Sequence, residues 1–235
     1  MNNIKSMAGK TKWKSQNDKF VMYLDIMGFK DKIKGTRFSE LQLQFNNLSD
    51  NWRRRISPLL KGGHLKHFQF SDSIILFTDK SDDKSLNLIT RAGIIIMQEA
   101  MELGFPINGA LAKGEMSVDE EKQIFFGKAL VYAYQLQISL FYYGIAVHPT
   151  AIPNIKRAEK PAGLFSKQSV PLKGGSAALF QLNWNHIKNN YDRGDITEKA
   201  KQWINRIEEN TQTVGNPLIY IENTRRVLEK IVFVQ

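Results

Sequence analysis

The stretch Phe20-Val-Met-Tyr-Leu-Asp-Ile-Met-Gly-Phe29 decides the predicted fold of this chain. It begins as a compact apolar run and ends in an acid and a glycine. This pattern is typical of a buried β-strand that leads into a turn or a helix start. A second stretch, Phe70-Ser-Asp-Ser-Ile-Ile75, joins two further predicted strands over residues 64–70 and 74–78. Each stretch therefore places an aspartate, Asp25 or Asp72, where a strand meets a turn.

The spacing of apolar residues predicts the elements around these strands. Helices are expected over residues 38–60, 85–103 and 127–140, strands over 107–113 and 145–147, and a hairpin over 169–173 and 177–182. The order strand–helix–strand–strand–helix–strand is that of a ferredoxin-like βαββαβ unit. We therefore predict an α+β fold: a ferredoxin-like core with an added strand hairpin and C-terminal helices.

The two ends of the chain differ from its centre. Residues 1–19 are polar and basic with little apolar content, which is typical of a flexible tail. Residues 20–184 hold all the predicted strands and form the predicted core domain. Only helical patterns occur from 185 to 235, so we expect a C-terminal helical extension that packs on the core or on a second subunit.

The composition is that of a globular domain in a reducing compartment. The chain has 235 residues, 42% of them hydrophobic, and a chain of this size buries roughly 70% of the surface that it exposes when unfolded. It has no cysteine, which excludes disulfides, thiolate metal sites and cysteine nucleophiles. The sequence shows no signal peptide or membrane span. We therefore expect a cytoplasmic protein without a membrane partner.

The net charge of +10 indicates an anionic partner. Residues 51–71 contain arginines and lysines but no acid, and so does the N-terminal tail through Lys14. Nucleic acid and nucleotide phosphates are both anionic, and charge alone leaves these two classes open. For Arg53, Arg54 and Arg55 by themselves, a solvated basic helix face is the simpler interpretation.

Asp25 and Asp72 are the residues best placed for chemistry. The first strand and the central hairpin of a βαββαβ unit are neighbours, so two carboxylates 47 residues apart in sequence can meet in space. A carboxylate pair without thiols suits Mg²⁺ or Mn²⁺ held against a triphosphate. The backbone amides of Gly28 and Phe29, at the expected helix start, suit phosphate oxygens. Either aspartate alone is more often a simple turn residue.

Five stretches, in order along the chain, resemble class III nucleotidyl cyclases. The two aspartate stretches are similar to the metal and phosphate motifs of that family, and residues 109–115 are similar to its next strand. Residues 126–131 resemble the start of its Gly-x-x-Val-Asn helix. Residues 170–174 resemble a late strand whose lysine, here Lys173, reaches the triphosphate. The resemblance covers residues 20–182 and implies that residues 20–184 are a nucleotidyl cyclase catalytic domain.

Four positions depart from the purine cyclases of this family. The Lys and Asp that read adenine are replaced by Phe68 and Ile124, and the transition-state Asn and Arg by Val131 and Gln135. A purine cyclase is therefore not expected, which leaves a non-catalytic relative or a branch with its own base pocket. Leu-Asp-Ile-x-Gly-Phe, Phe-Ser-Asp-Ser, Gly-Lys-Ala-Leu-Val-x-Ala-Tyr and Gly-Ile-Ala-Val-His-Pro together resemble the pyrimidine cyclases of the bacterial Pycsar anti-phage system.

The resemblance implies a reaction, its ligands and its partners. The enzyme would cyclise UTP, slightly preferred to CTP, to make a second messenger in anti-phage defence. The ligands of two Mn²⁺ or Mg²⁺ ions per active site would be Asp25, the Ile26 carbonyl and Asp72. The triphosphate-binding residues would be Gly28, Phe29 and Lys173. Homodimers with composite active sites, and a separate effector protein that responds to the product, are expected.

The sequence leaves open what lines the base and what replaces the missing arginine. Trp52 and Arg55 are candidates for the base side, although Trp52 fits the apolar stripe of its helix equally well. The candidates for charge stabilisation, each individually more often structural, are Arg91, Lys113, Tyr132 and Tyr134.

Three functions are compatible with these observations. The first is a pyrimidine nucleotide cyclase that makes cyclic UMP or cyclic CMP. The second is a sensor of the same fold that binds nucleotide without turnover, which Val131 and Gln135 favour. The third, a nucleic-acid-binding protein, rests on the net charge alone and predicts binding that depends steeply on salt. A cyclase needs no specific nucleic acid, and none is expected.

Overall fold

The computed structural model describes residues 16–157, 163–185, 196–210 and 216–229. Within these ranges the chain forms eight strands: β1 (Gln16–Ile26), β2 (Leu65–Phe70), β3 (Ser73–Thr78), β4 (Ile107–Asp119), β5 (Ile124–Gly127), β6 (Gly144–Val147), β7 (Phe165–Leu172) and β8 (Gly175–Leu182). The same ranges contain seven α-helices: α1 (Phe29–Gly35), α2 (Phe38–Leu60), α3 (Asp83–Glu102), α4 (Lys128–Ser139), α5 (Ile152–Arg157), α6 (Ile196–Glu209) and α7 (Asn216–Glu229).

The strands form one mixed sheet in the order β2-β3-β1-β4-β6-β8-β7, and β5 pairs with the far end of β4. Only β4 and β6 are parallel neighbours among these described strands. The first four strands, with α2 and α3 between them, have the order and connections of the predicted βαββαβ unit. The α+β fold with a ferredoxin-like core is therefore confirmed, and the β7–β8 hairpin is the predicted addition.

The side chains of β1 alternate between two faces of the sheet. Met22 and Leu24 pack in the larger core with residues of α2 and α3. Val21 packs on the opposite face with Ala133 of α4. Asp25 shares the parity of Val21, so its side chain lies on the face that α4 covers, at the end of β1.

The strand β1 begins at Gln16, four residues before the start predicted from the sequence. Residues 16–19 pair with β4, from Gln16 opposite Ser117 onward, so the prediction that they belong to a flexible tail is wrong. These polar residues can lie in the sheet because the buried Lys19 ammonium has hydrogen-bond partners there. It donates to the Asn17 side chain and to the Asp79 carbonyl oxygen. Residues 1–15 of the predicted tail lie outside the described residues.

The strand predicted over residues 107–113 continues through the charged stretch that follows it. β4 extends to Asp119 and forms a hairpin with β5, in which Met116 lies opposite Gly127. Met116 and Val118 are both buried, and charged residues lie on either side of them. The stretch therefore has the two-residue period of a strand. The short helix α5 was also not predicted.

The C-terminal helices α6 and α7 complete the larger core. Trp203 and Ile204 of α6, and Tyr220 and Ile221 of α7, are buried in the same cluster as the sheet. The predicted extension therefore packs on the core, while its boundary at residue 185 stays a prediction. Of the helices that the structure describes, none is both long and apolar enough to traverse a bilayer.

Candidate active site

The candidate active site lies where β1 ends beside the turn between β2 and β3. Asp25 is in register with Ser73 of β3, and the Ile26 amide donates to the Asp72 carbonyl oxygen at 3.0 Å. Asp72 is held by a two-residue turn in which Ser71 has a left-handed φ of 53°. The structure thus brings the two predicted aspartates, both partly buried, to one end of the sheet.

Among the residues that the structure describes, positive charge offsets the negative charge of Asp25 only in part. Burial, and next the charge of Asp72, raise the pKa of Asp25 to about 6, while Ser73 and Lys173 only partly oppose this shift. The Ser73 Oγ atom donates to Asp25 Oδ1 at 3.3 Å. A pair of neighbouring carboxylates with too little positive charge nearby is an arrangement that favours a divalent cation.

Lys173 lies at the same end of the molecule, in the turn between β7 and β8. Its side chain is exposed, and its backbone amide donates to the Ser139 carbonyl oxygen at 2.8 Å. The positive charge of Lys173 lowers the pKa of Asp25, so the ammonium lies within electrostatic range of Asp25.

Gly28 and Phe29 follow β1 directly, at the start of α1. Gly28 has a φ of 73°, which glycine adopts without strain. The Phe29 ring is buried against Phe45, with 4.9 Å between ring centroids. Phe29 can therefore offer only its backbone to a ligand, and the first amides of a helix have no partner within that helix.

A hydrogen-bonded chain that sequence reasoning missed supports Asp25. Tyr23 Oη and Ser73 Oγ are 2.7 Å apart, and the Tyr23 ring meets Tyr134 of α4 edge-on at 5.5 Å. Burial raises the pKa of Tyr23, and the charge of Asp25 adds to this shift. Tyr134, a predicted candidate, is thus brought to the site. Strand alternation would have identified Tyr23, which precedes Asp25 by two residues and shares its face.

A buried polar pair beside Asp25 was also missed. Asn108 lies directly across from Asp25 on β4, and its Oδ1 accepts a hydrogen bond from Gln137 Nε2 of α4 at 2.8 Å. Both side chains are almost fully buried. No sequence pattern marks this pair, because the contact depends on how α4 crosses the sheet.

The structure does not bring Trp52 and Arg55 to the aspartates. Trp52 of α2 is 0% exposed and lies edge-on against His67 at 5.1 Å, which confirms that it belongs to the apolar stripe of its helix. Arg55 forms an ion pair with Glu99 of α3. Both helices cover the sheet face opposite to the Asp25 side chain.

Arg91 and Lys113 are also remote from the pair within one chain. Arg91 is exposed on α3, which packs on the opposite face. Lys113 lies opposite Phe20, five residues along β1 from Asp25, which corresponds to about 17 Å. The Lys113 ammonium lies 3.8 Å from an Asp18 carboxylate oxygen.

The positions expected to replace the adenine-reading pair do not face each other within one chain. The Phe68 ring packs against Phe125 at 5.5 Å on the α4 face. Ile124 precedes Phe125 in β5, so alternation turns it the other way, and it is 47% exposed. Tyr132 of α4 stacks on His148 at 4.8 Å.

The outer surface of α4 is exposed and rich in large apolar residues. It carries Val131, Tyr134 and Ile138 beside Gln135, and Phe70 at the tip of β2 is 74% exposed on the same side of the sheet. We call Val131, Tyr134 and Ile138 the α4 surface. Large apolar side chains grouped on a surface indicate a site of protein interaction.

Three solved structures with a similar fold are adenylyl or guanylyl cyclases. A bacterial light-regulated adenylyl cyclase has 14% sequence identity and a TM-score of 0.53, with 83% of this chain and 100% of that chain covered. The adenylyl cyclase CyaB from P. aeruginosa has 15% sequence identity and a TM-score of 0.51, with 76% of this chain and 98% of that chain covered. The guanylate cyclase domain of RhGC from Catenaria anguillulae, in complex with GTP, has 13% sequence identity and a TM-score of 0.54. The comparison covers 72% of this chain and 98% of that chain.

No protein-family model and no curated protein matches the sequence. The structural similarities therefore establish the fold, which is that of adenylyl and guanylyl cyclase domains. The fold predicted from the sequence resemblance is confirmed.

Proposed function

We propose that this protein is a metal-dependent nucleotidyl cyclase that converts a pyrimidine nucleoside triphosphate into a 3′,5′-cyclic monophosphate and pyrophosphate. The observation that carries the proposal is the meeting of Asp25, Asp72 and Lys173 at one end of a cyclase-fold sheet. Two carboxylates beside an exposed ammonium suit a triphosphate with its divalent cations.

The donor atoms fit hard divalent cations such as Mn²⁺ or Mg²⁺. In the part of the chain that the structure describes, no group of three or more His, Asp or Glu side chains could hold a metal by itself. Asp25, Asp72 and the Ile26 carbonyl would share the ions with water and the triphosphate, as is common for Mg²⁺. When bound, two such ions supply the charge that lowers the pKa of the ribose 3′-hydroxyl and neutralises the leaving pyrophosphate.

The residues of the chain position the reacting groups. Ser73 orients Asp25 through its hydrogen bond, and Tyr23 in turn is hydrogen-bonded to Ser73. Lys173 neutralises charge on the β- and γ-phosphates, and the amides of Gly28 and Phe29 bind phosphate oxygens at the start of α1. The ribose 3′-oxygen attacks the α-phosphorus in line, the bond from that phosphorus to the bridging oxygen breaks, and pyrophosphate leaves.

A homodimer is part of this proposal. Tyr134 of the α4 surface contacts Tyr23 beside Asp25, so a second copy that covers this surface would also close the active site. Within one chain α4 presents Val131 and Gln135, which carry no positive charge, where a stabilising residue is expected. Arg91 and Lys113 are thus candidates only as residues that the partner copy contributes.

The choice of base and the signalling role are supported by the sequence resemblance. Phe68 and Ile124 lack the polar side-chain atoms with which a Lys and an Asp read adenine. The same resemblance supports UTP over CTP, action in the cytoplasm, and a product that activates a separate effector during anti-phage defence.

The experiment is to incubate the purified protein with each of the four nucleoside triphosphates and Mn²⁺, and to identify the products by chromatography and mass. We expect cyclic UMP or cyclic CMP, with pyrophosphate. Cyclic AMP or cyclic GMP would keep the cyclase assignment and reject the pyrimidine assignment. The absence of any cyclic product would reject the cyclase.

A nucleotide sensor of the same fold is the second candidate. The exposed Val131 and Gln135 favour it, because neither side chain can neutralise the charge of a transition state. A sensor would bind the triphosphate in the experiment above and release it unchanged.

A further inference from the structure

Helix α7 is hydrogen-bonded to residues 140–143, which connect α4 to β6 and are here called the 140–143 connection. Asn223 Nδ2 donates to the Phe141 carbonyl oxygen at 2.8 Å. Thr224 Oγ1 accepts a hydrogen bond from the Tyr143 amide, also at 2.8 Å. Thr224 is fully buried, so the Tyr143 amide depends on this hydroxyl for its hydrogen bond.

Tyr220, one turn earlier on α7, makes a third hydrogen bond to the same connection. Its Oη donates to the Leu140 carbonyl oxygen at 3.1 Å, and its ring contacts those of Phe141 at 4.8 Å and Tyr143 at 5.5 Å. Burial, and next the charge of Asp25, raise the pKa of Tyr220, so this end of α7 lies within electrostatic range of Asp25.

The 140–143 connection and the end of α4 in turn hold the turn that carries Lys173. The Lys173 amide donates to the Ser139 carbonyl oxygen at 2.8 Å, and the Phe141 amide donates to the Pro171 carbonyl oxygen at 3.0 Å. The peptide backbone of the turn is therefore attached on one side to α4 and on the other to a segment that α7 holds.

Apolar packing and a groove complete the contact between α7 and the hairpin. Val227 of α7 is buried in one cluster with Leu140 and with Val170 of β7. Beside this cluster is a groove of about 520 Å³, with Lys173 and Asn223 among its lining residues. The helix and the lysine thus border the same space.

We propose that α7 positions Lys173 for the triphosphate, acting through the 140–143 connection. The proposal rests on the function proposed above, in which Lys173 binds the β- and γ-phosphates. Thr224 and Asn223 are positioning residues that contact no substrate themselves. When their hydrogen bonds are lost, α7 holds the connection and the hairpin only through Tyr220 and the packing of Val227. The turn then keeps its own backbone bonds but is held less tightly, so phosphate binding weakens.

Paired substitutions isolate the effect of the Thr224 hydroxyl. Thr224→Val keeps the shape of the side chain and removes the acceptor of the Tyr143 amide, whereas Thr224→Ser keeps the acceptor. Arg225→Ala is the matched control on α7, because Arg225 binds Glu208 of α6 and not the 140–143 connection. Asn223→Ala, at a partly exposed position, replaces Thr224→Val if that variant does not fold.

Two measurements on the full chain test the proposal. The first is the affinity for 3′-deoxy-UTP, which lacks the attacking hydroxyl, in the presence of Mn²⁺. We expect Thr224→Val to weaken it about three- to tenfold, with Thr224→Ser and Arg225→Ala close to the wild type. The second is amide hydrogen exchange without nucleotide, which we expect to be faster at Phe141 and Lys173 only in Thr224→Val. In a Lys173→Ala background, Thr224→Val should weaken affinity no further.

An unchanged affinity and unchanged exchange in Thr224→Val would overturn the proposal. A full additional loss in the Lys173→Ala background would also overturn it, and so would an equal loss in Arg225→Ala, because general loosening of the helices would then explain the effect. A wild-type protein that binds no triphosphate would reject the proposed function, and with it the role of α7, before any variant is compared.

Discussion

Two of the places where the described part of this fold holds partly buried charged side chains are built in opposite ways. Between α2 and α3, the Arg55 guanidinium meets the Glu99 carboxylate beside the fully buried Trp52. At the end of β1, Asp25 instead lies beside a second carboxylate, Asp72, and its pKa is raised to about 6. The first arrangement pairs opposite charges within the chain, whereas in the second Ser73 and Lys173 only partly offset the shift that burial and Asp72 cause.

This difference shows that residue type alone does not indicate where a side chain lies in the fold. An aromatic residue and an arginine, three residues apart on one helix, have the chemistry of a nucleobase platform. Within one chain their partners are instead a partly buried histidine of β2 and a glutamate of α3. The following predictions test the contrast, beginning with the largest expected effect.

Removal of either carboxylate from the pair should abolish cyclisation. We expect Asp25→Asn and Asp72→Asn each to lower kcat/KM by more than about a hundredfold, since each variant loses a metal ligand. The circular dichroism spectrum should be unchanged. Asp83→Asn, which removes the partner of the exposed Arg157, is the control and should retain activity. Normal turnover by either site variant would reject the metal assignment.

Loss of the Lys173 charge should act on binding more than on turnover. Lys173→Ala removes a charge-assisted contact to the triphosphate, so we expect KM to rise about tenfold or more, with a smaller change in kcat. Lys167→Ala, an exposed lysine on the same hairpin, should leave KM unchanged. If the two variants behave alike, Lys173 has no special role.

Disruption of the compensated pair should reduce stability and leave chemistry intact. Arg55→Ala deprives Glu99, which is only 10% exposed, of its partner, at a cost of about 1–3 kcal/mol in the free energy of unfolding. Denaturant titration measures this loss, and KM and kcat should stay within about twofold of the wild type. A raised KM in this variant, measured under conditions where it is folded, would instead support Arg55 as a base-pocket residue.

The stability of the metal-free protein should depend on pH, because the negative charge of Asp25 is only partly compensated. Between its ordinary pKa of 3.8 and its folded value of about 6, Asp25 binds more protons in the folded than in the unfolded state, so it destabilises the metal-free fold as pH rises.

We therefore expect Asp25→Asn to melt a few degrees higher than the wild type at pH 8 without metal. The difference should shrink toward pH 4, and Mn²⁺ should reverse it by stabilising the wild type alone. Equal melting curves at both pH values would show that the charge of Asp25 is compensated after all.

Local sequence patterns predicted the sheet core and the meeting of Asp25 with Asp72, because both depend on strand order and on where strands end. The same patterns missed the later part of β4, where charged residues obscure the alternation of Met116 and Val118. They also missed contacts made across elements, such as those of Asn108 with Gln137 and of Arg55 with Glu99. Such pairs depend on which helix covers which face, and no spacing along the chain encodes that.

The most direct measurement is the binding of Mn²⁺ by electron paramagnetic resonance, with 3′-deoxy-UTP present, in the wild type and in Asp25→Asn and Asp72→Asn. The account predicts two bound ions per wild-type active site and the loss of at least one in each variant. Equal Mn²⁺ binding by all three proteins would contradict the claim that the two aspartates form the metal centre of a nucleotidyl cyclase.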